Sequence, residues 1–235
     1  MPSIAPSTIA ARLADVRARI AEAARRSGRP ASAVRLIAVS KTHPASAVAE
    51  AYAAGQREFG ENRVQEALEK MPASPPDVIW HLIGHLQSNK AKLVPGAFRV
   101  VHTVDSIKLA QTLDRHAQAA GASVEVLLQA NLTGEATKSG VADAAALAPL
   151  LAAVLACPAL KATGLMTIPD PAYDERRTRQ VFARMNELLE RLRTACAPGP
   201  AFCELSLGMS HDFEWAVEEG ATLVRVGTAI FGARA

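Results

Sequence analysis

From Leu36 onward the chain alternates between short runs of aliphatic and β-branched residues and longer stretches rich in alanine or leucine. The expected strands are 36–40, 58–59, 78–83, 99–104, 124–129, 160–167, 203–207 and 223–226. Helical patterns follow them at 45–54 and 62–70, around Leu86, Lys90 and Leu93, from Asp105 or Ser106 to 120, and at 142–156. Later come a long helix with Val181, Phe182, Met185, Leu188, Leu189 and Leu192 as its buried stripe, and a shorter one at 212–219. Eight β-then-α units in about 200 residues close most naturally into a parallel (β/α)8 TIM barrel. An open doubly wound sheet would carry a glycine-rich nucleotide loop after its first strand, where this chain has Lys41-Thr42-His43-Pro44. Before the barrel, Ile9, Leu13, Val16 and Ile20 repeat at helical spacing after Ser7, a candidate N-cap, so an additional N-terminal helix is expected.

The rest of the composition narrows the class. Hydrophobic residues make up 49% of the 235 and aromatics only 4%, which suits one barrel domain over 1–235 with an aliphatic core. Lys and Arg number 26 against 23 acidic residues, a formal charge of +3 without a basic cluster, so no nucleic-acid partner is expected. No run approaches the roughly 18 apolar residues of a membrane span. The first 26 residues lack an apolar h-region and include Asp15 and Glu22, so the expected location is cytoplasmic. Cys157, Cys196 and Cys203 form no CxxC pair, and His81 and His85 fall at a strand end rather than on a helix face, so neither a disulfide framework nor a metal site is expected. The expected state is a monomer.

In a barrel, residues at the C-terminal strand ends share one mouth. Lys41 ends the first strand, a setting that suits a Schiff-base amine as well as the ordinary solvated lysine. Near the other strand ends stand Glu61-Asn62, His81 with Gly84-His85, Asn131, Met166-Thr167, Ser206 with Ser210, and Arg225 with Gly227-Thr228. Gly227 and Thr228 open a helical turn whose N–H groups suit a phosphate, and Ser206-Leu207-Gly208-Met209-Ser210 supplies a second glycine and hydroxyls nearby. Strand alternation puts Arg225 on the face of Leu223 and Gly227, opposite Val224 and Val226, so its guanidinium points into the barrel. Such a cation is either part of a site or paired with a carboxylate.

Together these features describe a pyridoxal 5′-phosphate (PLP) pocket. The segments Ala38-Val39-Ser40-Lys41-Thr42, Phe59-Gly60-Glu61-Asn62, Trp80-His81-Leu82-Ile83-Gly84, Leu86-Gln87-Ser88-Asn89-Lys90, Gly164-Leu165-Met166, Leu205-Ser206-Leu207-Gly208-Met209-Ser210 and Val224-Arg225-Val226-Gly227-Thr228-Ala229-Ile230-Phe231-Gly232 resemble, in order, the pyridoxal phosphate homeostasis protein family. The resemblance implies a barrel of alanine-racemase type with Lys41 carrying PLP as an internal aldimine. It implies phosphate contacts from Ser206, Ser210, Gly227 and Thr228, Arg225 facing the pyridine nitrogen, and Asn62, His81 and Met166 lining the ring. His85, Arg63 and His211 depart from, or flank, otherwise matching motifs.

An arginine at the pyridine nitrogen disfavours its proton and so weakens the ring as an electron sink. Racemases of this barrel type are similar in that arginine, and the resemblance implies that they draw a second base, a tyrosine, from a C-terminal β domain. The tyrosines here, Tyr52 and Tyr173, lie in or beside helical segments, and the sequence ends at Ala235. The expected function is to hold PLP and to buffer or deliver it, with apo PLP-dependent enzymes as candidate partners. A PLP-dependent amino-acid racemase with an unrecognised second base is the alternative, and a Schiff-base aldolase a more distant one.

Overall fold

The computed structural model describes residues 8–132, 140–141 and 144–233. Eight parallel strands, in sequence order, form a closed barrel: β1 (Arg35–Val39), β2 (Glu58–Glu61), β3 (Ile79–Leu82), β4 (Val100–Val104), β5 (Val124–Gln129), β6 (Leu160–Met166), β7 (Glu204–Ser206) and β8 (Leu223–Val226). Closure comes from β8 pairing with β1, Arg35 opposite Leu223 and Ala38 opposite Val226. The helices are α1 (Ile9–Arg26), α2 (Ala45–Ala53), α3 (Val64–Lys70), α4 (Ile107–Ala119), α5 (Ala144–Leu155), α6 (Glu175–Cys196), α7 (Phe213–Glu218) and α8 (Thr228–Phe231).

The strand alternation read from the sequence sorts the side chains. Val224 and Val226 face the helices and join the main core between barrel and helix ring. Leu223 faces inward and meets Ile37, Val100, Leu127 and Met166 in a separate, smaller apolar cluster within the barrel. That cluster fills only part of the interior, because Glu58, His81, His102, Ser206 and Arg225 form a contiguous polar chain beside it.

Two local expectations change, and a third falls partly outside the described residues. The segment after β3 is a 3-10 helix, Ser88–Leu93, rather than an α-helix, because Pro95-Gly96 stops it within two turns. The Ser7 cap lies outside the described residues, and Thr8 caps α1 by accepting the Ala11 N–H at 3.2 Å. The expected helix at 142–156 starts at Ala144 among the described residues, and 133–139 of the polar loop lie outside them. The N-terminal helix has a clear structural role. α8 is only one turn long, and α1 packs against α2, α7 and α8, completing the outer ring beside the last strand. No described helix is long and apolar enough to cross a membrane.

Candidate functional site at the barrel mouth

A cavity of about 250 Å³ opens at the C-terminal strand ends, where catalytic and binding residues of such barrels gather. Lys41, Asn62, Ser210, Arg225, Gly227 and Thr228 line it, as do Val39, His43, Ile83, Ile168, Met209, His211 and Gly232. A larger hollow of about 600 Å³ lies on the outer helices, but its Arg26, Arg179 and Glu218 are already paired with one another.

Lys41 reaches the cavity from a tightly held turn. His43 N–H returns to the Ser40 carbonyl at 3.1 Å, and Thr42 between them has φ +67°, a left-handed conformation costly for a β-branched residue. The Glu66 carboxylate accepts the Thr42 N–H and holds the turn from outside. Glu66 in turn accepts from Lys70 Nζ at 2.7 Å, and the same ammonium donates to Glu61 Oε1 at 2.7 Å and to the Ser40 carbonyl at 2.8 Å. Ser40 Oγ also donates to Glu61 Oε1 at 2.7 Å. Burial pushes the Glu61 carboxyl above the usual carboxylate range despite Lys70 and Ser40, and its Oε2 finds no hydrogen-bond partner among the described residues. This cluster lies behind the barrel wall, so Glu61, although near the rim in sequence, serves the Lys41 turn rather than the cavity.

Asn62 is held at the mouth by a close crossing. A Cβ at Gly84 would stand 2.2 Å from the Asn62 carbonyl oxygen, so only glycine lets the end of β3 lie against it. On the far side, Ser210 Oγ accepts the N–H groups of Gly227 and Ala229, each at 3.3 Å, which shows that two donors converge on one acceptor position. The loop that carries Ser210 turns at Gly208, φ +81°, where a Cβ would stand 2.6 Å from that of Ala216.

Arg225 points inward, as alternation requires, and is 3% exposed. Nη1 donates to Ser206 Oγ and Nη2 donates to the Thr167 carbonyl at 3.0 Å. No carboxylate among the described residues pairs with it directly, so the carboxylate-paired alternative is not what forms. Burial pulls its pKa down to about 10, against a raising influence from Asp212, and the group remains a cation at neutral pH.

Three candidate residues do not line the cavity. Ser206 is fully buried beneath Arg225, away from the Ser210 cup. His81 is fully buried one layer deeper, against His102 and Glu58, and Met166 belongs to the inner apolar cluster. Their positions follow from where the chain turns: β3 runs one residue past His81, and the turns at Gly84 and Gly208 come two or more positions after His81 and Ser206. Sequence reasoning passed over His43, Met209 and His211 as liners because loop residues have no periodicity, and passed over His102 inside an apolar strand. The alternation Val100, His102 on the inward face was the available signal.

Fold and site define a lysine-bearing barrel of the alanine racemase N-terminal domain class. The family model of that description, "Alanine racemase, N-terminal domain", matches residues 12–235. The chain is 49% identical over 232 residues to the pyridoxal phosphate homeostasis protein of Pseudomonas aeruginosa, covering 97% of this chain and 96% of the relative. It is 43% identical to PipY of Synechococcus elongatus, solved with PLP bound, with a TM-score of 0.84 over 96% of this chain and all of the other. Alanine racemase of Corynebacterium glutamicum shares the fold alone, at 16% identity and a TM-score of 0.67 over 94% of this chain and 61% of that one. The chain belongs to the pyridoxal phosphate homeostasis protein family.

Proposed function

We propose that this protein binds PLP at the barrel mouth with the Lys41 amine joined to the cofactor's aldehyde carbon, and that it holds the cofactor for buffering or delivery without robust turnover. The observation that carries the reading is one cavity lined at once by Lys41, by the Ser210, Gly227 and Thr228 cup, and by the inward Arg225. The fit is chemical. Two N–H groups already converge on an oxygen position and suit a phosphate oxygen. Arg225, a donor without acceptor capacity, suits an unprotonated pyridine nitrogen.

When bound, PLP supplies an electrophilic aldehyde and an electron-withdrawing ring. Condensation of the Lys41 amine with the aldehyde forms a C=N bond and releases one water. The Ser40–His43 turn presents that amine, Asn62 lines the same cavity and would offer its amide to the ring, and Ser206 supports Arg225 from below. An arginine at the ring nitrogen weakens carbanion chemistry, and neither Tyr52 nor Tyr173 lines the cavity. Tyr52 instead donates to Asp77 at 2.6 Å, and Tyr173 lies beneath Arg177. His43 and His211 do line it and favour a racemase as the second reading, since an imidazole can serve as acid or base.

Purified protein mixed with PLP should become yellow, and Lys41→Ala should abolish the chromophore while leaving the protein folded. Loaded protein given amino acids should show neither racemisation nor transamination at rates on the order of 1 s⁻¹. Turnover at that rate, lost in His43 or His211 variants, would establish the racemase instead. Delivery predicts that an apo PLP enzyme is activated by the loaded protein faster than spontaneous release allows.

A further inference from the structure

Five inward side chains from five strands connect the bottom of the barrel to its mouth. Arg225 Nη1 donates to Ser206 Oγ, and Ser206 Oγ lies 2.9 Å from His102 Nδ1. His102 Nε2 lies 3.0 Å from His81 Nδ1, and His81 Nε2 lies 3.1 Å from Glu58 Oε2. The last contact is at ion-pair distance but off hydrogen-bond alignment, which makes it the loosest link. Glu58 then meets Arg35 at 3.5 Å, and Arg35 reaches Glu204 at 2.8 Å. His81, His102 and Ser206 are fully buried.

The two ends set the direction of every proton between them. A guanidinium can only donate and a carboxylate can only accept; with both rings neutral, Ser206 accepts from Arg225 and gives its single O–H to His102 Nδ1. His102 then carries its proton on Nε2 and donates to His81 Nδ1, which leaves His81 protonated on Nε2, facing the Glu58 carboxylate. Both rings are neutral in this arrangement, and every donor points from the mouth toward the bottom. Burial holds His102 well below the usual histidine range, and the Arg225 and Arg35 cations add to the effect, in agreement with a neutral His102 ring. Burial alone would raise Glu58, but His81, Arg35 and Arg99 more than offset it, so the accepting end is ionised.

We infer that Glu58, His81, His102 and Ser206 form a one-way hydrogen-bond file that holds Arg225 as a fixed donor at the cavity floor, making them positioning residues that select a ligand ring with a bare nitrogen lone pair. The selective part rests on the PLP reading of the cavity. Ser206 and the Thr167 carbonyl engage both Nη atoms of Arg225 and fix the plane of its fork. A neutral pyridine nitrogen is an acceptor for that fork. A ring nitrogen carrying a proton or a methyl group presents like charge and no lone pair.

The direction of the file is read without any ligand. In ¹⁵N-histidine spectra of the ligand-free protein at neutral pH, His81 and His102 should both be neutral with the proton on Nε2. An imidazolium at His81, or a proton on Nδ1 of either ring, overturns the file. Selection is read from the affinities of PLP and of its N-methylpyridinium analogue. The wild type should prefer PLP, and Ser206→Ala and His102→Gln should each reduce that preference about tenfold or more, the worth of a buried hydrogen bond to a charged group. Ser206→Ala is the milder change and carries the test if His102→Gln does not fold. PLP binding with an unchanged preference in a folded variant sinks the positioning role alone. Failure of the wild type to bind either compound sinks the PLP reading and the selective role together, while the tautomers still decide the direction of the file.

Discussion

Strand β2 carries two glutamates on opposite faces, Glu58 half-buried and Glu61 fully buried, and they end up in contrasting polar networks. Glu58 points into the barrel, meets Arg35 at 3.5 Å, and is separated from the buried cation Arg225 by two histidines and a serine. Glu61, three residues on and therefore on the other face, touches Lys70 directly behind the Lys41 turn. In the outer network the ammonium spends its three donors on Ser40, Glu61 and Glu66, so nothing is left for a ligand. In the inner one the guanidinium keeps part of its fork toward the cavity. Direct pairing thus makes a clamp, whereas pairing at a distance leaves a buried cation able to meet a ligand.

The largest test breaks the clamp. Lys70→Met removes the cation from beside a fully buried Glu61 and should lower unfolding stability by about 3–5 kcal/mol, measured by urea denaturation. Adding Glu61→Leu should recover part of that loss, because the stranded carboxylate disappears with it; a purely additive double mutant would show that the two side chains are not coupled. The inner file should be the milder break. Ser206→Ala leaves Arg225 and His102 each short of a partner and should cost about 1–3 kcal/mol by the same assay.

The two networks should also respond differently to acid. His102 is harder to protonate in the folded chain than in the unfolded one, so below pH 6.5 the unfolded state binds the extra proton. Its contribution is complete above that pH and falls as pH drops toward the folded pKa, by up to about 1.4 kcal/mol per unit. His102→Gln should flatten the slope in urea midpoints recorded between pH 5 and 7, whereas Lys70→Met, which removes a cation that holds the Glu61 carboxyl down, should add a loss of stability as pH rises. The smallest effect is expected from Glu66→Gln, which retains an acceptor for Thr42 but loses the charge beside Lys70. About 0.5–1.5 kcal/mol is expected, with faster amide exchange at Thr42.

Much of this site was visible before the fold. Lys41, Ser210, Arg225, Gly227 and Thr228 line the cavity because each sits at or just beyond a strand end, and strand ends are marked by local pattern. Ser206, His81 and Met166 were expected beside the ligand and do not line the cavity, since the sequence does not say how many residues separate a strand's last inward side chain from the open mouth. Lys70 had no signal at all. It reads as the polar end of an amphipathic helix, and only the packing of α3 against β2 buries it on Glu61.

The sequence by itself determined the barrel, through eight repeats of a short-range pattern, and the inward direction of Arg225, through the two-residue period of a strand. Both depend on neighbours a few positions apart. Tertiary structure decided which polar groups meet: His81 with His102, Ser206 with Arg225, Lys70 with Glu61. Those meetings depend on the register between strands and on the seating of a helix, and a one-residue change in register would turn each side chain to the opposite face.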